Sequence, residues 1–239
     1  MTPLMGSEVH RRGASTAHGR VVDRLGQAIV SDRFPPGALL PRDEEMLEEF
    51  AVSRTVLREA LKTLAAKGMI VARARVGTTV RPRRDWNLFD AQVLRWHIDG
   101  PEPDALYRQI FEMRLAFEPF AAGLAAAKAT PPQIAEMRAA LADMAAAGDA
   151  AAYTQADLRL HLAVMDATGN AFFRSVGALI EAALSAALRL SSPADRPETQ
   201  RASVRDHGTI VDAVAGGDAA AASRAMTRVI DEGRRRILG

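Results

Sequence analysis

Leu39-Leu40-Pro41-Arg42-Asp43-Glu44-Glu45-Met46-Leu47-Glu48-Glu49-Phe50-Ala51-Val52-Ser53-Arg54-Thr55-Val56-Leu57-Arg58-Glu59-Ala60-Leu61-Lys62-Thr63-Leu64-Ala65-Ala66-Lys67-Gly68-Met69-Ile70, continued by Val71-Ala72-Arg73-Ala74-Arg75-Val76-Gly77-Thr78-Thr79-Val80-Arg81, decides the fold. Pro41 precedes a short helix over Arg42 to Phe50. Ala51-Val52-Ser53 is a tight turn, and Ser53 caps a second helix that runs to Lys67 and stops at Gly68. Met69 to Val71 and Thr78 to Val80 are β-branched or apolar runs on either side of Arg73-Ala74-Arg75-Val76-Gly77, which predicts a small hairpin with a basic tip. Upstream, Val21, Val22, Leu25, Ala28 and Ile29 recur at helical spacing until Phe34-Pro35-Pro36-Gly37 ends the helix. The order is helix, helix, helix, hairpin.

In the helix after Ser53, Val56, Leu57, Ala60, Leu61 and Leu64 form one apolar face, while Arg54, Arg58 and Lys62 sit four apart on another with Thr55 beside them. A helix that enters a DNA major groove needs an apolar back on a scaffold and N-terminal Arg and Thr side chains toward base edges. By itself the stripe reads as a solvated basic face. The short helix, the turn and the basic hairpin around it turn the reading toward a winged helix-turn-helix.

Bulk properties agree. The 239 residues are enough for two cores. Residues 1–84 hold 15 Lys+Arg against nine Asp+Glu, and the remainder 16 against 20, so only the first part suits a polyanion. The chain has no cysteine, which excludes disulfides and thiolate metal sites. There is no run of eighteen apolar residues and no secretory h-region in residues 1–17, so a disordered tail, a cytoplasmic location and no membrane partner are expected.

The expected organisation is a tail over 1–17, the winged domain over 18–82, a linker over 83–100 holding Trp86 and Trp96, and an all-α bundle over 101–239. Breaks at Thr130-Pro131-Pro132, Gly148-Asp149, Gly169-Asn170, Ser191 to Pro197 and Gly216-Gly217-Asp218 divide the last part into six alanine- and leucine-rich helices. Asp157 and His161, four apart on one of them, share a face and suit a divalent metal. His207 offers a third ligand from another helix opening after Ser203. The bland alternatives are a chance pair and a surface histidine at a helix start.

The residues Leu40-Pro41, Ala51-Val52-Ser53-Arg54-Thr55-Val56-Leu57-Arg58-Glu59-Ala60-Leu61, Leu64 and Gly68-Met69-Ile70 resemble the DNA-binding domain of the GntR family of bacterial transcription factors. The bundle resembles the FCD effector domain of its FadR-type branch through Glu112-Met113-Arg114-Leu115, Glu118-Pro119, Asp157-Leu158-Arg159-Leu160-His161, Thr168-Gly169-Asn170, Asp206-His207 and Gly217-Asp218. The resemblance implies that Arg54, Thr55 and Arg58 contact a palindromic operator, with Lys62 beside them, and that the wing around Arg75, Gly77 and Thr78 enters the minor groove. Where the family commonly has a DNA-gripping arginine this chain has Glu44, which loses that contact or shifts it to Arg42.

The resemblance also implies a metal on Asp157, His161 and His207, zinc first with nickel or manganese as further candidates. The family's fourth ligand position falls at Val229, so water or an effector completes the shell. Arg114 stands where relatives hold an effector-facing arginine, and Arg236, seven residues after Val229, shares its helical face. The segment Trp86-Asn87, Asp90, Val93-Leu94, Trp96 is similar to that of galactonate- and sugar-acid-responsive members. These features imply a homodimeric repressor, not an enzyme, released from DNA by a small carboxylate such as an aldonate. A metal-free pocket for an acyl-CoA-like ligand is the second reading. A metal-dependent hydrolase is remote, because no general base accompanies the histidines.

Overall fold

The computed structural model describes residues 16–100, 103–177, 180–181 and 192–239. The chain divides into two compact units, Met1–Leu88 and Phe89–Gly239. Most of the expected N-terminal tail lies outside the described residues. Its last residue, Ala17, already belongs to helix α1 (Ala17–Val30), capped by Thr16, whose hydroxyl accepts the Gly19 N–H at 3.1 Å.

In the first unit α1 buries Val21, Val22, Leu25 and Ile29. Helix α2 (Asp43–Phe50) opens with Asp43, Glu44 and Glu45, where the helix dipole favours negative charge, and buries Met46. Ala51 takes the left-handed conformation (φ 50°) that makes the turn tight. Ser53 then caps α3 (Arg54–Ala66), its hydroxyl accepting the Val56 N–H at 3.3 Å, and Leu57, Ala60 and Leu64 are buried. Strands β1 (Ile70–Arg73) and β2 (Gly77–Val80) pair antiparallel from Ile70↔Val80 to Arg73↔Gly77. Residues 38–40 lie along the other side of β2, with Leu40 N–H donating to Thr78 O at 2.8 Å. A 3-10 turn (Arg83–Asp85) leads to buried Trp86, whose indole N–H donates to Arg81 O at 3.0 Å.

Among its described residues the second unit consists of helices joined by turns and short loops. Helix α4 (Ala91–Ile98) forms within the segment expected as linker: Asp90 Oδ1 accepts the N–H groups of Gln92 and Val93 at 3.0 and 3.1 Å, and Val93, Leu94 and Trp96 are buried. Helix α5 (Pro103–Lys128) runs through an internal Pro119. Helix α6 (Pro131–Ala146) follows Thr130, whose N–H donates to Gln133 Oε1 at 2.9 Å. Helix α7 (Ala150–Ala167) is capped by Asp149. Residues 171–177 form α8. Helix α9 (Pro197–Ala215) follows a 3-10 turn (Pro193–Asp195), and α10 (Ala219–Leu238) is capped by Asp218. The expected break at Ser191 lies outside the described residues; Pro197 does open a helix.

Helices α5, α6, α7, α9 and α10 close around one core that includes Phe111, Ala122, Ala125, Met137, Met144, Leu160, Val164, Ile210, Met226 and Ile230. Small alanine side chains let α5 and α10 approach closely, and each buried larger side chain contributes roughly 1.5–3 kcal/mol. This packing fixes the α5, α7, α9 and α10 faces that carry polar groups.

Gly68 sets the exit of α3. Its φ is +77°, and a Cβ there would lie 2.2 Å from the Asp85 carbonyl oxygen. Gly68→Ala therefore combines left-handed strain with a backbone clash and should cost the first unit about 2 kcal/mol or more. Urea denaturation of the two proteins measures this; an unchanged midpoint would show that the turn relaxes freely.

Candidate functional site: an exposed basic helix and a buried polar cluster

The first unit exposes the residues singled out for DNA. Arg54, Thr55 and Arg58 are exposed on the N-terminal half of α3, opposite its buried face. Lys62, a turn further on, is exposed and paired with Glu59 at 2.8 Å. Arg42 is the exposed residue before α2, next to exposed Asp43, Glu44 and Glu45. On the hairpin, Arg75 and Gly77 are exposed at the tip and Thr78 is half-buried. Arg75 has φ 63° and Gly77 φ 113°, so the tip is a sharp turn that presents one guanidinium outward.

In the second unit the sequence candidates converge. Asp157 and His161 come from α7, His207 from α9 and Arg114 from α5, and all four are buried. One ligand atom from each of Asp157, His161 and His207 lies within 4.8 Å of the others. They line a cavity of about 30 Å³ together with Arg114, Phe111, Val229 and Arg236. His207 does not open a helix after Ser203, as its sequence context suggested. Helix α9 begins at Pro197, so His207 is mid-helix and faces the core.

Hydrogen bonding sets the tautomers. His207 Nδ1 donates to the Ser203 carbonyl at 2.7 Å, since that oxygen can only accept. Ser203 also accepts the Tyr153 hydroxyl proton at 2.7 Å. His161 Nδ1 donates to Glu118 Oε2 at 2.5 Å. Each imidazole therefore turns Nε2 and its lone pair toward the cavity, and neither Nε2 has a hydrogen-bond partner among the described residues. His207 Nε2 lies 2.9 Å from Asp157 Oδ1, so a lone pair faces a carboxylate oxygen. A cation between them, either a proton or a metal ion, removes that repulsion. Two imidazole nitrogens with their other N–H anchored, plus one carboxylate, are a donor set that fits a divalent metal.

The carboxyls also respond to positive charge around them, from Arg114 and from the imidazoles when these carry a second proton. Burial pushes Asp157 up most strongly, but His207, His161 and Arg114 together outweigh it and hold its carboxyl down at about 2. Glu118 follows the same pattern: burial raises it, while Arg114 and His161 bring it to about 2. Burial and the Asp157 charge push the Tyr153 hydroxyl up. The cluster is thus a set of charges stabilised by one another inside the bundle.

Glu118 is the group that the sequence reading passed over as a site residue. It is fully buried, taking Arg114 Nε at 2.5 Å and Nη2 at 3.3 Å. The signal was present: Glu118 falls between Phe111 and Ala122 on the apolar stripe of α5, where a solvated charge has no place. Arg236 differs from the two arginines before it. Arg234 and Arg235 are exposed and pair with Asp231 and Glu232 at 3.0 and 2.7 Å, whereas Arg236 is half-buried and lines the cavity. Val229, buried at the cavity lining, brings no ligand atom to it.

Among the described residues no helix is long and apolar enough to cross a membrane. Residues 17–80 match the family model for bacterial regulatory proteins of the gntR family, and residues 109–232 match the FCD domain. The galactonate operon transcriptional repressor of Escherichia coli (strain K12) is 32% identical over 222 residues, 91% of this chain and 95% of the relative. A putative L-lactate dehydrogenase operon regulatory protein of the same organism is 28% identical over 86% of this chain and 80% of its own length. Among solved structures, Lar of Listeria monocytogenes matches with a TM-score of 0.62 and 18% identity over 95% of this chain and 98% of its own, a likeness of fold. The chain therefore belongs to the GntR family of DNA-binding bacterial transcriptional regulators, a family of regulators and not enzymes, and its second unit contains an FCD domain.

Proposed function

We propose that this regulator is a cytoplasmic homodimeric repressor that binds a palindromic operator and is released by a small carboxylate, an aldonate of the galactonate kind or a related acid. The observation that carries the effector half is the convergence of Asp157, His161 and His207 with Arg114 and Arg236 on one cavity. A divalent ion on the three ligands, zinc before nickel or manganese, leaves positions for water or for an effector oxygen, and the arginines suit the rest of an anionic ligand through charge-assisted bonds. The relatives named for galactonate and L-lactate operons support an acid as effector. The charged groups on so small a cavity give less support to a long apolar ligand.

The size of the cavity gives the proposal its regulatory content. About 30 Å³ holds one or two water-sized molecules, so a six-carbon acid enters only when the lining helices move. An effector that binds the opened state better than the closed one shifts the balance between them, and operator affinity falls if DNA prefers the closed state. On the DNA half, Arg54, Thr55 and Arg58 read bases, with Lys62 on phosphate or base edges. The hairpin residues Arg75, Gly77 and Thr78 take the minor groove, and Arg42 stands in for the contact that Glu44 lacks.

Two measurements test this. In a mobility-shift titration on the intergenic DNA beside its own gene, Arg54→Ala and Arg58→Ala should each weaken binding by about 1–3 kcal/mol and relax base preference. Wild-type affinity in both variants would remove α3 as the reading helix. In a thermal-shift screen, zinc at about 100-fold its Kd should stabilise the folded protein by about 2.7 kcal/mol, and galactonate should add to the shift only with metal present. His161→Ala should abolish the metal-dependent shift; an equal shift in that variant would place the metal elsewhere.

A further inference from the structure

Glu118 stands behind the cavity lining and is closed off from solvent, and two of the site's working groups end on it. Its Oε1 takes Arg114 Nε, and its Oε2 takes His161 Nδ1 and, at longer range, Arg114 Nη2. An imidazole in water carries its proton more readily on Nε2 than on Nδ1. In this site an Nε2 proton would point an N–H into the space where the metal reading needs a lone pair. The carboxylate reverses the preference by giving Nδ1–H an anionic acceptor, and Arg114 keeps that acceptor charged and fixed in a buried place.

Resting on the metal-site reading above, we infer that Glu118 is a positioning residue of the metal centre: held by Arg114, it locks His161 as the Nδ1–H tautomer and aims Nε2 at the ion. Arg114 then has two duties. Its Nε and Nη2 anchor Glu118, and the same side chain lines the cavity that an anionic effector would enter. Substituting Arg114 therefore loosens the metal as well as the effector. His207 is served differently, by the neutral Ser203 carbonyl, so the two histidine ligands differ in how strongly they are polarised.

Glu118→Gln tests this sharply. With Arg114 in place, the amide oxygen must face the guanidinium and the NH2 must face His161. His161 Nδ1 then has to accept, and its proton moves to Nε2. Nitrogen-15 NMR of the metal-stripped protein should show the His161 proton on Nδ1 in the wild type and on Nε2 in the variant. Calorimetric titration with Zn2+ alone should show affinity reduced about 10–100-fold. Arg114→Met combined with Glu118→Met replaces the buried ion pair with apolar side chains, a change that proteins often tolerate; it should show the same loss of Zn2+ affinity and covers the case in which the single variant does not fold. Zn2+ affinity within threefold of wild type in a folded variant, with binding still lost in His161→Ala, would overturn the role of Glu118 and leave the metal site standing. No Zn2+ binding by the wild type would overturn the metal reading and this inference with it.

Discussion

Removing charged groups from water costs several kilocalories per mole for each ion unless partners compensate. The second unit buries Arg114, Glu118, Asp157, His161 and His207 together, and none of them stands alone. Arg114 neutralises Glu118, Glu118 takes the proton of His161, and Asp157 faces His207. The chain of contacts runs through α5, α7 and α9, so the mutual position of those helices is tied to the satisfaction of the charges. The one place where the accounting stays open is the cavity, where two imidazole lone pairs and a carboxylate oxygen meet. Under the proposed function, a cation or anion that completes this site would also complete the core.

The first unit uses exposure where the second uses burial. Leu57, Ala60 and Leu64 press α3 onto its scaffold, so Arg54, Thr55 and Arg58 point outward with little freedom in the backbone that carries them. The acidic first turn of α2 is favourable to its own helix dipole but unfavourable to a phosphate. Glu44 thus favours its own helix, and under the proposed function more of the operator grip would fall to α3 and the hairpin.

The local grammar of the winged unit was legible because its signals act over a few residues: Ser53 as cap, Gly68 as stop, Pro35-Pro36 as terminator, and short β-branched or apolar runs in the hairpin. The bundle helices were legible for the same reason, and so was the pairing of Asp157 with His161 on one face. What escaped depends on contacts distant in sequence. Helix α4 is short, and its burial of Leu94 and Trp96 comes from packing on α5. His207 looked like a helix-opening residue because Ser203 is a good cap by type, but Pro197 had already started the helix. Glu118 entered the sequence reading only as part of the Glu118-Pro119 resemblance. Only the arrival of His161, 43 residues later, gives it another partner.

The chain has two tryptophans, and the fold assigns one to each compact unit: Trp86 to the first and Trp96 to the second, both nearly buried. Indole emission shifts to the red when water reaches the ring. The protein therefore carries an intrinsic optical reporter in each half, without any label. Replacing either ring with phenylalanine leaves a single emitter, and a melting curve then resolves whether the DNA-reading unit and the helical unit lose their structure together or in turn.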